Sequence, residues 1–342
     1  VPLTPPIDPM LAEARWQLPP ANALPGGIVA EQKPDGFRAI VFARRDLVMV
    51  QSRQGADLSR AFPDIARAAR ALGDSLVLDG ELVVPHQGRL DFAALQSRAR
   101  HRGRSAEEAA VADPAYLITF DVLESDGTNL MSLPYRDRRA RLESLFATGV
   151  LNAPFTLCPA TADRATAQDW LNPAWGNAGI EGVVLKGLNQ SCLPRKRAWI
   201  KVRARVTAEA LIGGVTGSLT GPLSLLLGRY DASDDLRLVA RTTSLAASVR
   251  RELAEHLTPA TADHPWAGRR FSAAWGTRGE LTYRPVKPEL VAEFIADTAL
   301  DAGRYRHPVR FMRIRTEMHP MQVPRFEKLG EKLGQEIRPY SG

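Results

Sequence analysis

The feature that most constrains this chain is a series of short runs rich in Val and Ile, each closed by a turn. They are GIVAEQ (27 to 32), FRAIVFAR (37 to 44), LVMVQS (47 to 52), SLVLDGELVV (75 to 84) and YLITFDVLE (116 to 124). β-Branched residues fit a pleated surface, and the Asp-Gly and Arg-Asp pairs at the ends of these runs are turn formers, so each run is a predicted strand. Helical spacing with good helix formers fills the intervals at 61–72, 90–100, 135–146 and 161–171. Two further predicted strands at 180–187 and 198–205 complete an α+β first half.

Near residue 206 the texture changes. LIGGVTGSLTGPLSLLLGRYDASDDLRLVARTT alternates glycine-punctuated apolar runs with turns, and ASVRRELAEHL (247 to 257) is the one convincing helix before more short strands. Several strands and one helix in about a hundred residues suit a small all-β barrel of the five-stranded OB-fold kind, with a sandwich as the alternative. The expected domains are therefore 1–205, 206–320 and a tail, 321–342, that reads as a short amphipathic helix and a loose end. A chain of 342 residues has the length for two domains. It contains no run of about 18 apolar residues and no signal-peptide pattern at VPLTPPIDPM, so a cytoplasmic protein with no membrane partner is expected. Its two cysteines, Cys158 and Cys192, cannot make a four-thiolate zinc site and suit a reducing compartment.

The net charge of +7 favours an anionic partner. Only seven of the 45 basic residues are lysine, so arginine serves wherever a generic positive charge is wanted. Lysine differs in being able to lose its proton and attack an electrophile. Each lysine is therefore a candidate for chemistry.

Residues 31 to 38 read EQKPDGFR. Local chemistry allows a hairpin turn here, with Asp35 and Gly36 at the bend and Lys33 and Arg38 solvated on either side. Other clusters follow: QSRQG (51 to 55), LDGELVV (78 to 84), YLITFDV (116 to 122), EGVVLK (181 to 186) and RKRAWIKVR (195 to 203). In this order the set resembles the nucleotidyltransferase motifs of ATP-dependent DNA ligases and mRNA capping enzymes. GRYRHPVRFMRIR (303 to 315) resembles the ending of the short, two-domain actinobacterial ligase C type.

The resemblance implies a nucleotidyltransferase (adenylation) domain followed by an OB-fold barrel domain. It implies that Lys33 attacks the α-phosphate of ATP and becomes lysyl-AMP. AMP then passes to the 5′-phosphate of nicked double-stranded DNA, and the adjoining 3′-OH displaces it. Mg²⁺ or Mn²⁺ would be held by Glu81 and Glu181, whose plain alternative is solvent-facing carboxylates on edge strands. Phe120 would stack on adenine, with Glu31 near the adenine amino group and Arg38 on the ribose. Arg53 would reach toward ribose or phosphate, as would Arg195 or, two residues on, Arg197. Lys186, Lys201 and Arg203 would surround the phosphates, and Arg313 and Arg315 would serve the departing pyrophosphate. A free lysine with pKa of about 10.4 is neutral only about one part in a thousand near pH 7.4, so neighbouring cations are expected to lower the pKa of Lys33.

Two positions depart from the family pattern. The fifth motif ends Lys201-Val202-Arg203 in place of Lys-x-Lys, and the last ends Arg315-Thr316-Glu317-Met318 in place of Arg-x-Asp-Lys. Basic clusters at 98–104, 195–205 and 304–315 are expected to meet DNA phosphates without reading sequence. A monomer acting in DNA repair, beside a polymerase of the primase type, follows from the resemblance alone. The competing classes are a capping guanylyltransferase or RNA ligase, and a non-catalytic nucleic-acid-binding protein with a degenerate nucleotide pocket.

Overall fold

Alternation sorts each strand of the first half into an apolar face and a polar one, and two sheets result. A computed structural model describes residues 2–73, 75–272, 279–326 and the backbone of 338–339. The chain divides into two compact units, Val1–Ala204 and Arg205–Gly342. The first unit carries β1 (Leu11–Arg15), β2 (Ile28–Pro34), β3 (Phe37–Ala43), β4 (Val48–Ser52), β5 (Leu76–Val83), β6 (Tyr116–Ser125), β7 (Phe155–Leu157), β8 (Ala160–Thr161), β9 (Ile180–Gly187) and β10 (Arg197–Arg203). One sheet has the order β1-β10-β9-β2-β8, and the other β7-β6-β5-β3-β4.

Helices cover the outer faces. In the second sheet Ala39, Val41, Leu78, Leu82 and Leu117 point to a core shared with α1 (Pro63–Ala71), α2 (Phe92–Arg98) and α4 (Tyr135–Ala147). In the first sheet Ala30, Val183, Leu185, Ile200 and Val202 pack with Ala167 of α5 (Arg164–Asp169) and Trp170. Between the sheets a third cluster joins Ile40, Phe42 and Val77 to Trp199 and Met10. The polar residues of both sheets therefore face this inner layer.

The hairpin that local chemistry allows at Asp35-Gly36 does not form. β2 pairs with β9 and β8, while β3 pairs with β4 and β5, so the two strands on either side of the turn lie in different sheets. A Cβ on Gly36 would stand 2.2 Å from the carbonyl oxygen of Leu82, and the Asp35 amide donates to the carbonyl of Gly179. The chain crosses from one sheet to the other through a gap that only glycine fits.

The predicted strands appear close to their expected places, but β1, β7, β8 and α3 (Arg104–Ala112) were not anticipated. β1 is short and mostly exposed, LAEAR, and owes its order to parallel pairing with β10. α3 begins inside what reads as a basic cluster, where Gly and Arg mask the AEEAAVA run.

The second unit contains β11 (Arg205–Ser218), β12 (Gly221–Tyr230), β13 (Leu236–Arg241), β14 (Val291–Asp297) and β15 (Arg310–Ile314), in the order β13-β12-β11-β14-β15. Its two outer strands meet. Val309, just before β15, donates to the Arg241 carbonyl and accepts from the Thr243 amide, both at 2.8 Å, in a parallel bridge. Leu253 and Val249 of α6 (Ala247–His256) pack onto the enclosed core. Val323 is buried against this unit, while most of the expected tail helix falls on 327–337 and 340–342, outside the described residues. Among the described residues no helix is long and apolar enough to cross a membrane.

Candidate active site

Lys33 is the penultimate residue of β2, a strand flanked on both sides. Its Nζ lies 2.7 Å from Oε2 of Glu181 on β9, and Arg203 Nε stands 3.4 Å from the same oxygen. The two strands run antiparallel with a register shift between Ile180 and Val183, and Gly182 sits in that shift at φ +143°. A Cβ there would meet the Val202 carbonyl oxygen at 2.2 Å, so the glycine lets β9 press onto β10 and turns Glu181 toward the lysine. Glu81 lies on β5 opposite Arg38 of β3. Both acids therefore sit on interior strands, and the solvent-facing edge alternative does not hold.

The electrostatics run against expectation at Lys33. Burial works to lower its pKa, but Glu181 first and Glu81 second outweigh it and hold the amine above its ordinary value. Burial likewise opposes charge on Glu181, yet Lys33 and then Arg203 keep its carboxyl well below the usual range. Glu81 goes the other way. Burial, with Glu181 and Asp35 adding repulsion, pushes it up to about 7 despite the pull of Lys33 and Arg38.

Glu31, Lys33, Lys201 and Arg203 share one polar sheet face, with Val184 opposite both Glu31 and Lys201 in register. Lys201 is half-buried and its pKa is lowered, by burial first and then by Arg203, Lys33 and Arg53. Arg53 is exposed and is brought to this group only through that field. Four cations that repel one another form a place where polyphosphate relieves strain.

Lys186 is not one of them. It is 1% exposed, its Nζ is 2.7 Å from Glu31 and 3.0 Å from the Phe120 carbonyl, and the rings of Trp199, Phe120 and Tyr135 surround it at 4.4 to 5.0 Å. A buried ammonium needs a counter-ion and ring faces, and Lys186 has both, so it is directed to Glu31 rather than to the phosphate group. Arg38 forms a two-pronged pair with Asp79 at 2.7 and 3.0 Å and donates to the Met10 carbonyl. Its guanidinium also lies 5.4 Å from the Phe120 ring and 5.0 Å from Trp199, and Phe120 remains partly accessible.

Arg195 is not brought to the site. It is a positive-φ surface residue, 79% exposed at its side chain, and pairs with Asp8; Arg197 is exposed as well. Arg313 and Arg315 lie in the second unit, held by Glu293, Glu317 and Glu209. In the first basic cluster Arg98 is buried, paired with Asp64 under the Phe62 ring, and is a structural cation.

Sequence reading missed Tyr135, Arg139 and Asp79. Tyr135 donates to Glu31 at 2.5 Å, and Arg139 reaches it at 3.3 Å. Both belong to YRDRRARL, whose spacing predicts a helix without marking which charges turn inward, and Arg138 is fully buried on Asp121. An aromatic residue opening a helix four positions before the second of two adjacent arginines was the available signal.

Among the described residues no group of three or more His, Cys, Asp or Glu converges as a metal cage. Two repelling carboxylates, one held at about 7, fit a hard cation that completes its shell with water and phosphate oxygens. They do not fit a thiolate or imidazole metal.

Comparison with known proteins bears on this arrangement. The family model described as ATP dependent DNA ligase domain matches residues 9–203. DNA ligase C2 of Mycolicibacterium smegmatis is 34% identical over 93% of this chain and 92% of its own length. DNA ligase C of Mycobacterium tuberculosis is 32% identical over 94% and 93%. The crystal structure of the ligase domain of M. tuberculosis LigD superposes with a TM-score of 0.50 at 27% identity, covering 93% of this chain and 98% of that one.

Proposed function

The chain belongs to the ATP-dependent DNA ligase family, and on that premise we propose that Lys33 is the nucleophile with which it seals nicks between a 5′-phosphate and a 3′-OH. The amine attacks the α-phosphorus of ATP. A P–N bond forms, the P–O bond to pyrophosphate breaks, and the amine gives up its proton. AMP then moves to the 5′-phosphate, and the 3′-OH displaces it. The observation that carries the assignment is the position of Lys33 at a central strand end, against Glu181 and within the field shared by Lys201, Arg203 and Arg53.

Lys201 and Arg203 are assigned to the α-phosphate oxygens and Arg53 to ribose or phosphate. Phe120 offers the adenine stacking surface and Glu31 its polar edge. Arg38 is committed to Asp79 and Met10, and its remaining role is to form the floor beside Phe120. Glu81 and Glu181 would hold Mg²⁺ or Mn²⁺, which supplies charge neutralisation at the phosphates when bound. Lys186 supports Glu31, and Arg195 is assigned no nucleotide contact.

The first domain, 1–205, is read as the adenylation domain and 206–320 as an OB-fold barrel. The strand order, with the outer strands joined in parallel at Val309, supports the barrel. Arg313 and Arg315 are assigned to the pyrophosphate, and exposed arginines of the basic clusters to the DNA backbone. The proposed setting is cytoplasmic repair of nicked duplex by a monomer, with a primase-type polymerase as partner.

The test is incubation with α-labelled ATP and Mg²⁺, followed by nicked duplex. The label is expected on the wild type and absent from Lys33→Ala. A Lys33→Ala chain that still takes up label would overturn the assignment.

A further inference from the structure

Glu31 is almost wholly enclosed, and its partners leave its carboxylate one direction in which to act. Tyr135 donates its phenol hydrogen to Oε1 at 2.5 Å, and Arg139 donates to the same oxygen at 3.3 Å. Lys186 takes Oε2 at 2.7 Å. An ionised carboxylate has about four acceptor positions. Three are filled, and the open one lies on Oε2, beside the ammonium that also holds the Phe120 carbonyl.

The two donors on Oε1 come from the first turns of α4, four residues apart. Arg139 is itself held by Glu143 at 2.7 Å and by the Cys158 carbonyl at 2.9 Å. Tyr135 is 1% exposed, and burial together with the charge of Glu31 raises its pKa, so it stays a neutral donor.

We infer that Tyr135 and Arg139 are positioning residues for base choice: by saturating Oε1 they present Oε2 as a single oriented acceptor, which suits the exocyclic amine of a 6-aminopurine. A 6-oxopurine would set its carbonyl oxygen against that carboxylate, and two acceptors facing each other exclude it. The inference rests on the reading of Glu31 as the edge that faces adenine.

The experiment measures lysyl-nucleotide formation from ATP, from GTP and from purine riboside triphosphate, which lacks the 6-amino group. Wild type is expected to prefer ATP over both. Tyr135→Phe keeps the ring but frees Oε1, and should reduce the preference for ATP over the unsubstituted analogue by roughly tenfold. Arg139→Lys carries the same expectation should Tyr135→Phe not fold. If the variants slow all three nucleotides equally, with preference unchanged, Tyr135 and Arg139 are scaffolding and the inference fails. It also fails if wild type uses ATP and the unsubstituted analogue equally, although the ligase reading then stands. A wild type that forms no adduct with any triphosphate removes that parent reading and this one together.

Discussion

Lys33 Nζ and Glu181 Oε2 stand 2.7 Å apart, where the end of one central strand meets a register shift in its neighbour. The proposed nucleophile is thus kept protonated by the same acid assigned to the metal, and on that proposal it must lose both proton and partner before it attacks.

Replacing Glu181 with Gln removes the largest influence raising the pKa of Lys33. The pH–rate profile of lysyl-AMP formation should move to lower pH, while its plateau falls about tenfold or more with a proposed ligand to the metal lost. Because the folded pKa of Lys33 lies above 10.5, the pair stabilises the fold in full below that pH and loses its contribution as pH rises through the folded value. Alkaline unfolding should show that loss in wild type and not in the variant. A profile that stays in place would count against the pair.

Glu81 predicts the same sense at lower pH. Its carboxyl is raised from 4.5 to about 7, so the folded state holds the proton more tightly than the unfolded chain. Its contribution to stability is complete below 4.5 and disappears as pH climbs through 7. Urea unfolding at pH 5 and pH 8 should therefore show a smaller drop for Glu81→Gln than for wild type. Equal drops would mean that Glu81 does not feel the repulsion of Glu181 and Asp35 as described.

Gly182→Ala should destabilise the first unit by more than about 2 kcal/mol, since the new Cβ has neither an allowed φ nor space beside Val202. Adenylation should fall with it, because the register shift that aims Glu181 cannot form. Urea midpoints and label uptake check the two halves separately.

Arg98→Ala should cost about 3–5 kcal/mol, as an uncompensated Asp64 is left behind. Arg102 is exposed, and Arg102→Ala should stay within about 0.5 kcal/mol. Arg98→Ala should leave the salt dependence of DNA binding unchanged, since a buried guanidinium releases no counter-ion from DNA. A reduced slope would return Arg98 to the DNA surface.

Much of this was legible in the chain. Strand positions came from Val and Ile runs, because burial on one or both faces demands them, and the scarcity of lysine singled out Lys33. What was not legible depends on neighbours far along the chain. Lys186 reads as one more cation in a motif until three rings and Glu31 close around it. YRDRRARL reads simply as a helix until Arg138 is found buried on Asp121. Asp35-Gly36 reads as a hairpin because local turn chemistry is the same whether the strands pair with each other or part.

Pro34 shows the same dependence. A proline in a strand with neighbours on both sides sacrifices a ladder hydrogen bond. Here it stands opposite Ile180, at the register shift, and β8 reaches only Glu31 and Ala30. No ladder partner waits for the missing amide. Pro34→Ala should accordingly stay within about 1 kcal/mol of wild type in urea unfolding, and a larger loss would show that the ring's own packing matters.

The crossing at Asp35-Gly36 has a consequence for how this protein can be watched. The lysine, its acid and its cations come from residues 33, 181, 201 and 203, and they become neighbours only when the strands between residues 34 and 180 have been laid down. A disordered chain owns the amine but none of its surroundings. If Lys33 is the nucleophile proposed, uptake of α-labelled ATP during refolding should mark only those molecules whose first unit is complete, with a covalent mark that survives denaturing electrophoresis. The proposed nucleophile would double as a clock for its own fold.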